Sequence, residues 1–377
     1  MSVTDQLNQT GGEQSAPVII KLGSALLSTR QGLDHTGIAD WCGQIAAALA
    51  GGQRIVVVSS GAVAAGTVQL GLPSRPTEMR LLQAAAAVGQ VQLMNAYTQA
   101  LGAHGLKSAM VLLTHADIAN RTRYLNARST LLSLLDMGVV PIVNENDSVA
   151  TDEIRFGDND TLAAMVVNLI EGRLVVLLTD QAGLHERDPR TDPAAPLVKQ
   201  AAASDPALLA MAGTAGQLGS GGMESKVRAA QLAARSGADT VIAPGKRANI
   251  ITDLLAGKAL GTRLTADQVP LDARKRWIAD QQRPQGDLII DAGAVTALRE
   301  KGVSLLPIGV TQVEGQFQRG DLVRCVGPTG AVVAQGLVNY DAQQAALIAG
   351  NNSAAVADLL GFAADPELVH RDNLVVF

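Results

Sequence analysis

Two lysines and several clusters of small polar residues are the groups in this sequence best placed to do chemistry. Lys21 stands in Lys21-Leu22-Gly23-Ser24 directly after an apolar run, and Lys226 closes Gly219-Ser220-Gly221-Gly222-Met223-Glu224-Ser225-Lys226, which opens a helical pattern. Gly-rich turns that open helices offer backbone N–H groups to phosphate oxygens, and a lysine beside such a turn adds charge. Ser59-Ser60-Gly61-Ala62 contributes hydroxyls and a glycine, and Thr179-Asp180 a further polar pair. The densest polar segment is Asn144 to Asp160, whose acids and amides suit an amino group, a metal ion or positively charged side chains.

Several familiar chemistries are absent. No Gly-rich segment has the Walker spacing Gly-x-x-x-x-Gly-Lys-Ser/Thr, and no Gly-x-Gly-x-x-Gly follows the first apolar run, which argues against a P-loop NTPase and a dinucleotide-binding dehydrogenase. His370-Arg371-Asp372 spells the protein-kinase catalytic triplet but lies too close to the last residue for a metal-binding segment to follow. Only Cys42 and Cys325 are present, with no Cys-x-x-Cys or Cys/His spacing. Neither a disulfide framework nor a metal-ligand set is assigned, and a reducing cytoplasm is expected.

The polar clusters gain meaning from the elements that carry them. From Pro17 onward, short β-branched runs alternate with Ala/Leu-rich helical patterns, the signature of a parallel sheet wrapped by crossover helices. Buried strands are expected at Val18 to Leu22, Arg54 to Ser59, Ala109 to Leu113, Val139 to Asn144 and Leu174 to Thr179, with a sixth at Thr240 to Ala243. Helices are expected at Arg80 to Ala103, Asn126 to Asp136 and Leu162 to Ile170. Four of the polar clusters follow strands directly, and in open α/β sheets ligands bind beyond the strands' carboxyl ends. Any one cluster reads as ordinary turn residues; four on one rim do not.

Composition bounds the partners. The chain has 377 residues, 47% hydrophobic and 17% charged, enough for two domains with layers buried on both faces. Aromatics are 2% and the formal net charge is -5, so neither the stacking rings nor the positive field of a nucleic-acid binder is present. Residues 1–16 are polar without the apolar segment of a signal peptide, and no run is long enough to span a membrane. We divide the sequence into a disordered leader at 1–16, a nucleotide-handling α/β domain at 17–260, a basic linker at 261–285 and a small β-rich domain at 286–377. The last of these holds five Lys/Arg against ten Asp/Glu, with short strands expected at Asp287 to Ile290, Leu305 to Val310, Leu322 to Val326 and Ala331 to Val338.

These motifs, in this order, resemble the amino acid kinase family, and within it the branch that phosphorylates the γ-carboxylate of L-glutamate. The resemblance runs from Val18 to the end, through Ile19-Ile20-Lys21-Leu22-Gly23-Ser24, Ser60-Gly61-Ala62, Gly157-Asp158-Asn159-Asp160, Leu178-Thr179-Asp180-Gln181 and Gly221-Gly222-Met223; the C-terminal part resembles a PUA domain. It implies an open, mostly parallel sheet between helices, ATP with Mg²⁺, and an acyl-phosphate product at the start of proline biosynthesis. By the same resemblance Lys21 and Lys226 stabilise the transferred phosphoryl group and Asp160 orients them. Lys21, Gly23, Thr179, Asp180 and the stretch Ser220, Gly221, Gly222, Met223, Glu224, Ser225, Lys226 match the ATP site. Ser60, Gly61, Asn144, Asp147, Asp158 and Asn159 match the glutamate site. Proline as feedback inhibitor and a homo-oligomer are implied as well. The alternatives are a kinase for another small carboxylate or carbamate, and an RNA-binding protein acting through the PUA-like part. One departure is visible: Arg155 stands where lysine is expected, which retains charge with different geometry.

Overall fold

Runs of Val, Ile and Leu with no polar face can only be satisfied between two other layers, and they form the centre of the first of two units. The computed structural model describes residues 15–29, 31–149, 159–213, 222–267, 284–362 and 365–377. The first unit comprises Met1–Ile118 with Ala127–Pro270, and the second Ala119–Asn126 with Leu271–Phe377.

Among the described residues, ten strands belong to the first unit: β1 (Val18–Leu22), β2 (Ser28–Thr29), β3 (Gly32–Leu33), β4 (Ile55–Ser59), β5 (Lys107–Leu113), β6 (Val139–Glu145), β7 (Leu174–Thr179), β8 (Gln200–Ala202), β9 (Asp239–Pro244) and β10 (Thr262–Thr265). Eight of them make one sheet in the order β5-β6-β4-β1-β7-β9-β10-β8, while β2 and β3 pair as a small ribbon. The ribbon is antiparallel, and among the described residues of the eight-stranded sheet only the β9–β10 pairing is. The helices are α1 (Ser24–Leu27), α2 (His35–Ala50), α3 (Ala62–Gln69), α4 (Met79–Gly102), α5 (His115–Ala119), α6 (Arg121–Asp136), α7 (Asn159–Leu169), α8 (Ala207–Ala212), α9 (Met223–Arg235) and α10 (Ile250–Leu255).

Pleating sends alternate residues of β1 to opposite faces. Val18, Ile20 and Leu22 enter one core with Trp41 and Ile45 of α2, Leu93 and Tyr97 of α4, and Ile250 and Ile251 of α10. Ile19 and Lys21 face the other way, toward the side where α7 packs on β1. Each fully buried Val, Ile or Leu contributes about 1.5–3 kcal/mol relative to exposure, so the register of these strands is fixed by burial on both faces. Helices α7 and α9 pack on one another through small residues, with Ala163 and Ala164 buried on the first and Ala229, Ala230 and Ala233 on the second.

The sheet differs from its expected form in three places. Lys107–Leu113 is longer than the predicted strand and only partly covered, because it is the sheet's edge with β6 as its one neighbour. The short strands β8 and β10 were not foreseen, since three or four residues carry little periodic signal. Strand β10 also takes Thr262–Thr265 out of the segment read as linker and pairs it with β9 and β8.

The second unit contains β11 (Gly286–Ile290), β12 (Val310–Gly315), β13 (Leu322–Val326), β14 (Val332–Leu337) and β15 (Leu374–Val376) in one sheet ordered β12-β11-β13-β14-β15. Its core gathers Leu288, Ile290, Val323, Cys325, Ala334 and Tyr340. The strand expected from Leu305 starts instead at Val310, after a bridge at Leu305 and a 3-10 turn at Pro307–Gly309. Within the kinase-like triplet, Arg371 opens a 3-10 turn, Arg371–Asn373, that precedes β15.

Candidate active site

Strands β6, β4, β1 and β7 are consecutive neighbours and all parallel, so their carboxyl ends lie along one rim. Register fixes the order: Leu22 is level with Ser59 on one side and Leu178 on the other. Asn144 and Glu145 therefore end one strand, Ser59 the next, Lys21 lies one residue before the end of the third, and Thr179 ends the fourth. Sequence could place each group after a strand; the strand order makes them neighbours.

Asp160 is the centre of the charged cluster. It lies in the first turn of α7, where the helix dipole favours a negative group. Lys21 Nζ is 2.6 Å from its Oδ1, and Lys226 Nζ is 3.0 Å from its Oδ2. Ser225 Oγ donates to Oδ2 at 2.8 Å. Asp160 is 0% exposed, Lys21 3% and Lys226 4%, so all three charges are desolvated. Burial alone would push the Asp160 carboxyl up, but the two lysines and the hydrogen bonds from Lys21 and Ser225 outweigh it and hold the group well below the usual carboxylate range. Two ammonium groups thus meet at one carboxylate, where they can face an arriving anion together.

The amide cluster lies beside it. Asn159 Nδ2 is 3.1 Å from Ser59 O, 2.9 Å from Ser60 Oγ and 3.0 Å from Asn144 Oδ1. Two groups that the sequence reading missed support this cluster from α4. Gln90 Oε1 accepts from Asn144 Nδ2 at 2.7 Å, and Tyr97 OH lies 2.9 Å from Ser59 Oγ. Both sit on the buried side of a long helix, where a glutamine or tyrosine has no local pattern to mark it.

The other expected residues fall as follows. Gly61 has φ +101°, a left-handed conformation open to glycine, and turns the chain from β4 into α3. Gly23 follows β1, and a Cβ there would meet Leu178 O at 3.5 Å and Lys21 Nζ at 3.7 Å. Thr179 Oγ1 donates to Asp180 Oδ1 at 3.0 Å beyond β7. Asp147 is half-buried in the turn after β6. Gly222 is the extended residue ahead of α9, which begins at Met223. Glu224 pairs with Arg228 at 2.7 Å, one turn along the same helix. Asp158, Ser220, Gly221 and Arg155 lie outside the described residues.

This arrangement offers positive charge to an anion in transfer, a neutral amide and hydroxyl surface on one side and a hydroxyl-carboxylate pair on the other. Comparison with known proteins gives the same direction. The model of the Amino acid kinase family matches residues 16–244, and that of the PUA domain matches residues 286–360. A protein of Chromohalobacter salexigens named Glutamate 5-kinase is 54% identical over 377 residues, covering 100% of both chains. One of the same name from Thioalkalivibrio sulfidiphilus is 55% identical over 360 residues, covering 95% of this chain and 96% of its own. Among solved structures, carbamate kinase from Giardia lamblia bound to AMP-PNP is similar with a TM-score of 0.48 and 17% identity, over 67% of this chain and 99% of that one.

Proposed function

The chain belongs to the amino acid kinase family and carries a PUA domain, and on that footing we propose that it transfers the γ-phosphoryl group of MgATP to the γ-carboxylate of L-glutamate. A carboxylate oxygen attacks the γ-phosphorus, the bond to the β,γ-bridging oxygen breaks, and ADP leaves with that oxygen. The nucleophile is already ionised at neutral pH, so no general base is required. The protein's work is alignment and neutralisation of charge on the moving phosphoryl group, for which two preorganised lysines are suited.

The observation that carries this reading is the Lys21-Asp160-Lys226 cluster. Asp160 uses one oxygen on each lysine, and those lysines come from a strand and a helix far apart in sequence. It holds both ammonium groups at one point on the rim. The strand order puts the amide cluster of β4 and β6 on one side and Thr179 and Asp180 on the other; we assign glutamate to the first side and the nucleotide to the second. Asp147 is assigned to the substrate's α-ammonium, and Gly23, Gly222, Met223, Glu224 and Ser225 to the nucleotide side. The relatives named Glutamate 5-kinase support glutamate among small carboxylates. On the family resemblance the reading extends to proline as feedback inhibitor and to a homo-oligomer.

The test is a panel of L-glutamate, aspartate, acetylglutamate and carbamate with ATP and Mg²⁺, trapping acyl phosphate as the hydroxamate and measuring ADP. Hydroxamate from glutamate well above the other substrates is expected. ADP release without glutamate-dependent hydroxamate would remove this assignment.

A further inference from the structure

We infer that Trp41 and Gln44, two buried residues of α2 outside every rim motif, hold the turn that follows β9 and so act as positioning residues for the nucleotide; this rests on the reading above that Thr179 and Asp180 mark the nucleotide side.

The turn from Gly245 to Asn249 leaves the sheet beside Thr179, because Pro244 is level with Thr179 on the parallel strands β9 and β7. Lys246, Arg247, Ala248 and Asn249 are exposed, while Gly245 is buried. Gly245 N donates to Thr179 O at 2.8 Å and continues the β7–β9 ladder. That bond belongs to the peptide that precedes Gly245. The next peptide, Gly245–Lys246, is the first beyond the sheet, and its one described hydrogen bond comes from Trp41, whose Nε1 donates to Gly245 O at 2.8 Å. An indole N–H can only donate, so the sense of this bond is fixed. The turn's closing bond, Arg247 N to Pro244 O at 3.2 Å, leaves the Gly245–Lys246 peptide untouched.

The far end of the same segment returns to α2. Ile251 N, in the first turn of α10, donates to Gln44 Oε1 at 2.8 Å. The Gln44 amide is oriented for this bond, since its Nε2 donates to Asp40 Oδ2 at 2.7 Å. Trp41 and Gln44 are three positions apart and therefore share one face of the helix. Trp41 is 3% exposed and Gln44 6%, among the buried Ile38, Cys42, Ile45 and Ala48 of the same helix. A buried amide or indole N–H is costly without a partner, and here both find one in the connection between β9 and α10. Helix α2 thus grips that connection at Gly245 and at Ile251, with the exposed residues 246–249 held between the two points. Both side chains act on the nucleotide through the turn.

The experiment measures the Kd of the nonhydrolysable analogue AMP-PNP with Mg²⁺ by calorimetry, and KM for ATP and for L-glutamate, in the full-length parent, Trp41→Phe, Gln44→Met and Ile45→Val. Phenylalanine and methionine each remove one hydrogen bond to the connection and keep a large apolar side chain. Ile45→Val takes a methyl group from the same core and leaves both bonds in place. We expect the Kd for AMP-PNP and KM for ATP to rise roughly two- to ten-fold in both Trp41→Phe and Gln44→Met, the scale of one hydrogen bond, with KM for glutamate unchanged. Ile45→Val should lower Tm and keep the parent's AMP-PNP affinity. Parent-like AMP-PNP affinity in Trp41→Phe or in Gln44→Met overturns the inference. So does an equal loss of affinity in Ile45→Val, or an equal rise of both KM values, each of which would mark general loosening of the core. Trp41→Leu replaces Trp41→Phe if the latter is insoluble, and Gln44→Leu replaces Gln44→Met. A parent that binds AMP-PNP without phosphorylating glutamate would remove the functional reading and leave this inference to the Kd values, whereas a parent that binds no AMP-PNP would remove both.

Discussion

Asp160 has two carboxylate oxygens and uses each on a different lysine. Replacing either lysine by alanine takes away a preorganised donor, so Lys21→Ala and Lys226→Ala should each lower kcat by about 10² or more. Steady-state kinetics on variants with unchanged circular dichroism would check this, and near-normal turnover in either would defeat the assignment. The same carboxyl predicts a pH effect. Its pKa is lower in the folded chain than its ordinary value of 3.8, so its pairing contributes stability that is full above that value and lost as pH falls below it. Urea midpoints measured between about pH 5 and about pH 2 should therefore fall more steeply in the parent than in Asp160→Asn, which cannot titrate there. Parallel curves would show that Asp160 is not held ionised by its neighbours.

Two helices set how closely the amide cluster is held. A Cβ on Gly89 of α4 would lie 1.8 Å from Ala62 O of α3, and one on Gly66 of α3 would lie 1.7 Å from Ala85 O of α4. Glycine in a helix interior costs roughly 0.5–1 kcal/mol relative to alanine, so these two are accepted for the approach they permit. Helix α3 begins right after Ser60 and Gly61, and α4 carries Gln90 and Tyr97, so their separation sets the reach of both supporting bonds. Gly89→Ala should force the helices apart at a cost of about 1–3 kcal/mol and raise KM for glutamate more than KM for ATP. Thermal melts and kinetics check both, and a stabilised variant would mean that the crossing is looser than observed. Helix α7 is fastened at its far end too. Arg128 Nη1 donates to Leu169 O at 2.7 Å, and its Nη2 pairs with Glu171 at 2.8 Å, giving the helix's last turn a cation where the dipole favours one.

At the scale of the whole molecule, every residue assigned to chemistry lies between Lys21 and Lys226, and the described ones all belong to the first unit. The second unit has its own core and sheet. A chain ending at Pro270 should therefore fold and still form γ-glutamyl phosphate, checked by the hydroxamate assay after purification. A cut at Gly261 is different. It removes β10, whose Thr262 Oγ1 accepts from Leu184 N at 2.9 Å and donates to Val198 O at 2.6 Å, and which alone joins β8 to the sheet. That shorter chain should lose stability. A folded, soluble chain ending at Pro270 with no activity would show that the second unit contributes to the reaction.

What the sequence determined by itself was local and chemical. Val18 to Leu22, Ile55 to Ser59 and Leu174 to Thr179 are apolar on both faces, so they had to be buried strands, and the polar residues after them had to lie at a rim. Lys21, Ser60, Asn144 and Thr179 were visible because polar residues at the end of such runs are conspicuous, Lys226 because it closes a Gly-rich stretch, and Asp160 through the family resemblance. Tertiary structure alone decided which rim residues meet. Lys21 and Lys226 are joined through Asp160 only because β1 lies between β4 and β7 while α7 and α9 pack together on the face Lys21 points to. Strand order is a long-range choice that no short window of residues encodes. Gln90 was invisible for the same reason: it accepts from the amide nitrogen of Asn144, 54 positions away, and nothing in the helix around it differs from core packing.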